Sequence, residues 1–521
     1  QADAEFVYCP RCDLDVPMGD WKDWDFEGGI VEGGHYRLTD DFFGQTSTIQ
    51  IPSNNIVCLD LCGKTYAGTQ IRMFNVSGTF HIMDSVGGGT ILSSGENAKY
   101  AGCMLVQSSG TFAMYGGTIR HTATPGVAPY AGGLIYLDGG RMDLFDGTIV
   151  GGTVTASSSY TSQGGNIAAM NGARLYVRGG TISQGVALKS SAQTSQGGNI
   201  YATGGSMVFV YGGVIEDGYC DAGGGNIFIA KATLEVTGGE IRNGTALVSG
   251  GNIMANAAEA NSVTISGGSI TGGVAGGTYG SYSNSTFTRG SKGGGNIYER
   301  TPEGSLTISG GIIDGDIVVD YVKTMTLSGT PKIGLGLSGG LLLTGLSSFK
   351  IDAAGLTEGA EIYIQASRVF TSAFASTDAA QTALGYFKGA VRTELSVDTT
   401  ANTINAKMTC FNNLFEFYKT FKDVKHRKFD GLIITGAPVE TMPFEDVKYW
   451  EELKKNFDFA ESNVTSTIYI CWGAQAALYY QYGINKKPLP EKLFGIFETK
   501  AVVENDMLLK GMNDEFNIPH S

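Results

Sequence analysis

Along the first four hundred residues, polar and apolar positions alternate in short runs that glycine pairs interrupt at regular intervals. Stretches such as "ARLYVRGG", "SMVFVYGG", "ATLEVTGG" and "SVTISGG" put an apolar residue at every second position, the period of a half-buried strand. Two glycine-led elements recur through this region. The first reads Gly-Gly-Asn-Ile, with its asparagine at Asn166, Asn199, Asn226, Asn252 and Asn296 and a variant "GGLI" at Leu134. The second reads "GGTI", "GGVI", "GGSI" and close variants, with isoleucine at Ile119, Ile149, Ile182, Ile215, Ile241, Ile270 and Ile313. From each first-element isoleucine to the next second-element isoleucine is 14 to 17 residues, whereas the return leg varies from 12 to 27. One leg of the repeat is fixed, and the other is a loop of free length.

Short strands, turned by glycine pairs and closing at a repeat, predict a mainly β chain built as a right-handed parallel β-helix, in which each coil pairs only with its neighbours. Glycine supplies the positive φ that the corners need. The recurring asparagine predicts a ladder, each amide bonding the same asparagine one coil away. The repeats occupy 63–345, with an N-terminal cap region at 1–62 and terminal coils with a cap at 346–409. Beyond that the composition changes: residues 410–521 hold 6 glycines and 29 charged residues, against 71 and 57 in the preceding 409. This last part reads as a partial α/β segment.

Within it, "TSTIYICWGAQAALYYQYGI" has the order strand, sharp turn, helix. "STIYI" is β-rich, "GAQAALYYQYG" is helical with Gly483 as its stop, and Cys471 falls at the turn. Free N–H groups at a helix N-terminus favour negative charge and can hold an oxyanion. The backbone at Gly436, in the upstream stretch "FDGLIITGAPVE", and at Trp472 is the candidate oxyanion hole.

Charge and cysteines narrow the partners. A formal charge of −14 disfavours nucleic acid and anionic membranes, which need a basic face, and no window is apolar for long enough to cross a bilayer. "CPRC" (Cys9, Cys12) and "CLDLC" (Cys58, Cys62) form two close pairs. Their spacing suits a zinc knuckle and a disulfide-bonded cap alike, and no metal is assigned. Cys103 and Cys220 are expected to pack inside the rod.

Two resemblances follow from quoted stretches. "VCLDLCGKTYAG", "MFNVSGTFHIMDSVGGGTI" and "SSGTFAMYGGTI" resemble the glycine-rich right-handed β-helix modules of secreted and surface-anchored bacterial proteins, over about residues 5–400. That likeness implies an extracellular or cell-surface rod, with cell-surface glycans as partners through loops such as "GGTYGSYSNSTFTRG" (Gly276 to Gly290). Polysaccharide-active β-helices imply a lesser, third reading. "FDGLIITGAPVETMPFEDVKYWEELKK", "NVTSTIYICWGAQAALYYQYGI", "LPEKLFGIFE" and "LLKGMNDEFNIPHS" resemble the homoserine O-acyltransferases, a class I glutamine amidotransferase-like α/β fold of methionine biosynthesis, from about Phe417 to Ser521. The resemblance implies that Cys471 is the nucleophile, acylated by acyl-CoA as a thioester, that Lys492 and Ser521 bind substrate, and that Glu440 marks the acetyl-CoA users where succinyl-CoA users carry glycine. It implies acetyl-CoA as co-substrate, no bound cofactor, a small-molecule substrate and a cytoplasmic setting for this part by itself. The family's general-base histidine lies in a "GHPE"-like segment further downstream, and His520 belongs to "PHS" instead. The expectation is therefore a surface β-helix joined to an incomplete, catalytically inactive acyltransferase-like segment, with an active homoserine O-acetyltransferase as the alternative.

Overall fold

The computed structural model describes residues 6–68, 72–94, 102–121, 130–276, 281–283, 286–288, 294–334, 339–343, 349–390, 393–408, 421–436, 439, 442–487, 495–500 and 515–520. The chain divides into two compact units, Gln1–Cys410 and Phe411–Ser521.

The first unit is mainly β, and most of its described strands join one long parallel sheet. Each strand pairs with the strand one repeat later, so the two isoleucine positions of the sequence become two straight columns. Ile135, Ile167, Ile200, Ile227, Ile253, Ile297 and Ile317 align across successive pairings. Ile119, Ile149, Ile182, Ile215, Ile241, Ile270, Ile313 and Ile333 form the second column. All of these are fully buried in one continuous apolar core. Between the columns the alternation holds: Leu175 and Val177 are buried, while Arg174 and Tyr176 face outward. At the first column the outer face is also covered, by Ala168, Tyr201, Phe228, Met254 and Tyr298. Those strands are accordingly apolar at nearly every position.

The glycine pair before each asparagine serves two needs. At Gly197 φ is +71°, which an L side chain adopts only with strain. At Gly198 φ is ordinary, but a Cβ would lie 2.1 Å from the carbonyl oxygen of Gly225 in the next repeat. The first glycine makes the corner, and the second lets neighbouring repeats approach.

The asparagine ladder is present as expected. Asn166 Nδ2 donates to Asn199 Oδ1 at 2.7 Å, Asn199 to Asn226 at 2.7 Å, Asn226 to Asn252 at 2.8 Å and Asn252 to Asn296 at 2.7 Å. The second donor of each amide reaches a backbone carbonyl, as Asn226 Nδ2 does to Arg242 O at 2.8 Å. Each oxygen also accepts a glycine N–H, as Asn226 Oδ1 does from Gly218 at 2.9 Å. The two donors and the two-lone-pair acceptor of a buried amide are thus all satisfied.

The parallel pairing extends beyond 63–345. It begins at Trp21–Asp23, which pairs with Gly34–Arg37, and that strand pairs in turn with Ile56–Asp60. At the other end it runs through Glu361–Gln365 to Phe387–Gly389. There the helix Thr377–Leu384, whose Ser376 Oγ caps Ala379 N at 3.1 Å, and the antiparallel pair Thr393–Asp398 and Thr403–Met408 follow. The stretch from Gly276 to Gly290 lies mostly outside the described residues; Ser281–Ser283 and Thr286–Thr288 pair antiparallel within it. Cys103 and Cys220 are fully buried. No described helix is long and apolar enough to cross a membrane.

In the second unit, the strands Phe429–Ile434 and Val464–Tyr469 pair in parallel. The helices Trp450–Asn463 and Trp472–Tyr482 pack through a small core of Phe444, Val447, Trp450, Phe457, Trp472, Ala476 and Ala477. Gly495–Lys500 and Glu515–His520 form an antiparallel pair.

Two predictions test this architecture. Asn226→Ala removes one rung and strands its neighbours' donors and acceptors, so the first unit should lose about 2–4 kcal/mol in urea unfolding; a loss no larger than that of an exposed asparagine would mean the ladder is not stabilising. The second concerns Glu299, which is fully buried with no charged partner among the described residues, and whose pKa burial, only partly offset by the neighbouring Thr301, raises to about 8. Its protonated form is favoured in the folded state, so its contribution to stability is intact below the ordinary carboxylate range and is lost as pH rises through about 8. Glu299→Gln should therefore melt close to the parent in acid and progressively above it up to about pH 8; a difference that does not change with pH would contradict this.

Candidate functional site

The reactive position of the second unit is built by the junction of strand Val464–Tyr469 and helix Trp472–Tyr482. Ile470 N donates to Ile434 O at 2.9 Å, extending the parallel pairing by one bond before the chain turns. Cys471 then adopts φ +58° and ψ −135° as the residue preceding the helix, a strained backbone for a residue with a Cβ. This reversal leaves the thiol side chain exposed at the end of the strand. Trp472, the first helical residue, carries an N–H for which the helix supplies no acceptor. Gly473 N closes the turn onto Ile470 O at 3.1 Å.

Two glycines let the elements meet here. A Cβ on Gly473 would sit 2.9 Å from the carbonyl oxygens of Ile434 and Thr435, so the helix could not start this close to the neighbouring strand. A Cβ on Gly436 would sit 2.8 Å from Trp472 N and 3.0 Å from Cys471 Sγ. Gly436 thus lies against the thiol and the first helical N–H, which has no acceptor among the described residues. At the far end Gly483 takes φ +69°, and Gly483 N and Ile484 N bond Tyr479 O and Leu478 O at 3.0 and 3.2 Å, the left-handed stop expected there. Trp472 anchors the helix in the core, its ring buried beside Phe444 at 5.8 Å.

Lys492, Ser521 and Glu440 lie outside the described residues. Among the described residues, no imidazole or carboxylate is hydrogen-bonded to Cys471. The pair of parallel strands also exposes apolar side chains: Ile433 and Ile468 are 64% and 58% exposed.

A second cluster lies near the N-terminus. The antiparallel hairpin Phe6–Cys9 and Leu14–Pro17 holds Cys9 at the end of its first strand and Cys12 in its turn, and their sulfurs lie with His35 Nε2 so that all three ligand atoms are within 4.8 Å of one another. Cys12 Sγ is 3.4 Å from His35 Nε2, and Cys9 Sγ is 3.8 Å from Cys58 Sγ. Of the candidates Cys9, Cys12, Cys58 and Cys62, for which no metal was assigned, the mutually close group holds Cys9 and Cys12 together with His35, and not Cys58 or Cys62. Cys62 follows the end of its strand at φ +49°, with its N–H bonded to Asp60 Oδ1. His35 enters because its strand pairs with Ile56–Asp60 at His35↔Cys58, a register that no sequence motif announces. The hydrogen bond to Cys58, with backbone N–H groups of Cys12 and Arg11, lowers the Cys9 thiol to about 4, and the same bond with burial raises that of Cys58.

Residues 366–521 match the family model described as homoserine O-succinyltransferase. The match begins ahead of the expected start near Phe417, inside the first compact unit. The chain is also 60% identical over 110 residues to the homoserine O-acetyltransferase of Bacillus cytotoxicus, covering 21% of this chain and 36% of the relative. It is 61% identical over 116 residues to that of Acetivibrio thermocellus, covering 22% and 38%, and 54% identical over 132 residues to that of Lachnoclostridium phytofermentans, covering 25% and 44%. The chain therefore spans less than half the length of these relatives. The family description names a succinyl donor and the relatives' names an acetyl donor.

Proposed function

We propose that the second unit is the nucleophile-bearing part of a homoserine O-acyltransferase domain, and that Cys471 accepts an acyl group from acyl-CoA. The observation that carries this reading is the strained strand-to-helix turn, which holds an exposed thiol against Gly436 and the N–H of Trp472, which has no acceptor among the described residues. The sulfur attacks the thioester carbonyl, the oxygen takes negative charge beside those backbone donors, and the CoA thiolate leaves and is protonated. The similarity to acetyltransferases at 54–61% identity and glutamate at position 440 favour acetyl over succinyl as the donor. Lys492 and Ser521 are proposed to bind homoserine.

Transfer onward requires a base to take the proton of the homoserine hydroxyl, a step typically worth about 10² to 10⁴ in rate. Acylation without turnover is the reading proposed for this chain. A parallel strand pair is ordinarily covered on both faces, so the exposure of Ile433 and Ile468 favours the same reading of a partial domain.

For the first unit, we infer that the parallel stack is a right-handed β-helix, supported by the two isoleucine columns, the asparagine ladder and the near-universal right hand of parallel crossovers. Its setting at a cell surface rests on the resemblance of its repeats. Glycan binding is not proposed, because its loop falls largely outside the described residues.

Incubation of the purified chain with acetyl-CoA and L-homoserine should give a burst of free CoA of at most one equivalent, with the acetyl group on Cys471 by mass spectrometry and a smaller burst from succinyl-CoA. Steady turnover that Cys471→Ala abolishes would show a working transferase, and no adduct at all would remove Cys471 as the nucleophile. A crystal structure showing left-handed connections between repeats would overturn the β-helix inference.

A further inference from the structure

We propose that Cys9, Cys12, His35 and Cys58 bind one zinc ion, which fastens the N-terminal hairpin to the outward face of the first parallel strands. The four come from two separate elements. Cys9 precedes the hairpin turn and Cys12 lies in it, and Asp13 N closes the turn onto Cys9 O at 2.9 Å with Asp13 at φ +52°. His35 and Cys58 are direct neighbours across a parallel pairing, so their side chains leave the sheet on the same side. Trp21, the neighbour of His35 on its other side, packs against the imidazole with ring centroids 5.1 Å apart and planes tilted by 57°.

Cys9, Cys12 and His35 already have their ligand atoms within 4.8 Å of one another, while Cys58 meets Cys9 alone and would turn in to complete the tetrahedron; the two close separations fit zinc better than cystine. Zinc–sulfur bonds of about 2.3 Å and zinc–nitrogen bonds of about 2.0–2.1 Å put sulfur atoms about 3.8 Å apart and sulfur and nitrogen about 3.5 Å apart at tetrahedral angles. The observed separations are 3.8 Å for Cys9 and Cys58 and 3.4 Å for Cys12 and His35. A disulfide requires its sulfurs about 2.05 Å apart. Three sulfurs and an imidazole are soft donors that suit zinc and not calcium or magnesium, which take oxygen. Cys9 and Cys58 are almost fully buried, 1% and 2% exposed, so the ion would be shielded from water on that side, as a structural site is and a catalytic one is not. Three thiolates and a divalent cation leave one negative charge, and Arg11, between the two hairpin cysteines in the chain, is placed to balance it.

The consequence is mechanical. The hairpin forms its own two-stranded sheet and meets the rest of the unit through a small cluster of Cys9, Val16, Trp21, Cys58 and Met83. Four metal bonds would add a tie that spans 49 residues of chain, from Cys9 to Cys58.

The test is metal analysis of the full chain purified under reducing conditions from zinc-supplemented culture. One zinc per chain is expected, with replacement by cobalt giving the visible bands of a tetrahedral thiolate site. Cys9→Ser and Cys58→Ser should each fall to about a tenth of that content or less, while Cys62→Ser and Cys103→Ser retain it. His35→Cys keeps four ligands and should keep the metal, with stronger thiolate-to-cobalt absorption, which separates ligand loss from misfolding. Zinc-free protein with free thiols, an intact mass lower by two hydrogens from a Cys9–Cys58 disulfide, or metal lost by Cys62→Ser and kept by His35→Ala would each overturn the proposal.

Discussion

The first unit depends on a constraint of register: a strand in a parallel stack has no lateral partners except the strands one repeat before and after it, so every repeat must present the same bonding groups at the same place. The glycine pair and asparagine meet that constraint. Because Gly198 brings its backbone against Gly225 without a Cβ between them, the amides of Asn199 and Asn226 come within hydrogen-bonding distance. Because those amides then satisfy each other and the adjoining turn, a polar side chain can be fully buried without cost to the core. The apolar columns follow, since a repeat slipped by one residue would turn its isoleucine outward.

The second unit has no such repetition to rely on. Its described core is a single small cluster around Phe444, Trp450 and Trp472, and its parallel strands leave isoleucines exposed. What the unit does hold firmly is the turn at Cys471. Gly473 and Gly436 permit the close approach of helix, strand and thiol, and Trp472 and Gly483 hold the helix near its two ends. Chemistry that needs only a nucleophile beside backbone donors is compatible with this much structure.

The N-terminal cysteines show how a parallel sheet can assemble a site from residues that are distant in sequence. Trp21, His35, Cys58 and His81 occupy successive strands of one outward column. His81 is buried there, with its pKa lowered to about 4 chiefly by that burial, and it stacks on Tyr115 at 5.6 Å. Such a column places soft and aromatic groups at interstrand spacing whatever separates them along the chain.

Much of this was legible in the residues. The alternation and the fixed leg between the two isoleucine positions determined that strands would stack in parallel with those isoleucines inside. The five asparagines announced their ladder, and the order of β-rich run, Cys471, helical run and Gly483 announced the turn, because each of these rests on periods and turn chemistry acting over a few residues. Three things were decided only by the tertiary structure. The parallel pairing starts at Trp21, because strands without glycine-pair punctuation are recruited by the edge that the next repeat offers. Glu299 is buried and unpaired because its position in the register falls between Ala255 and Val319, which its own neighbours in sequence do not reveal. His35, and not Cys62, joins Cys9 and Cys12, because the pairing of two strands sets it beside Cys58. Local chemistry determines which elements form, and the register between elements far apart in sequence determines which side chains meet.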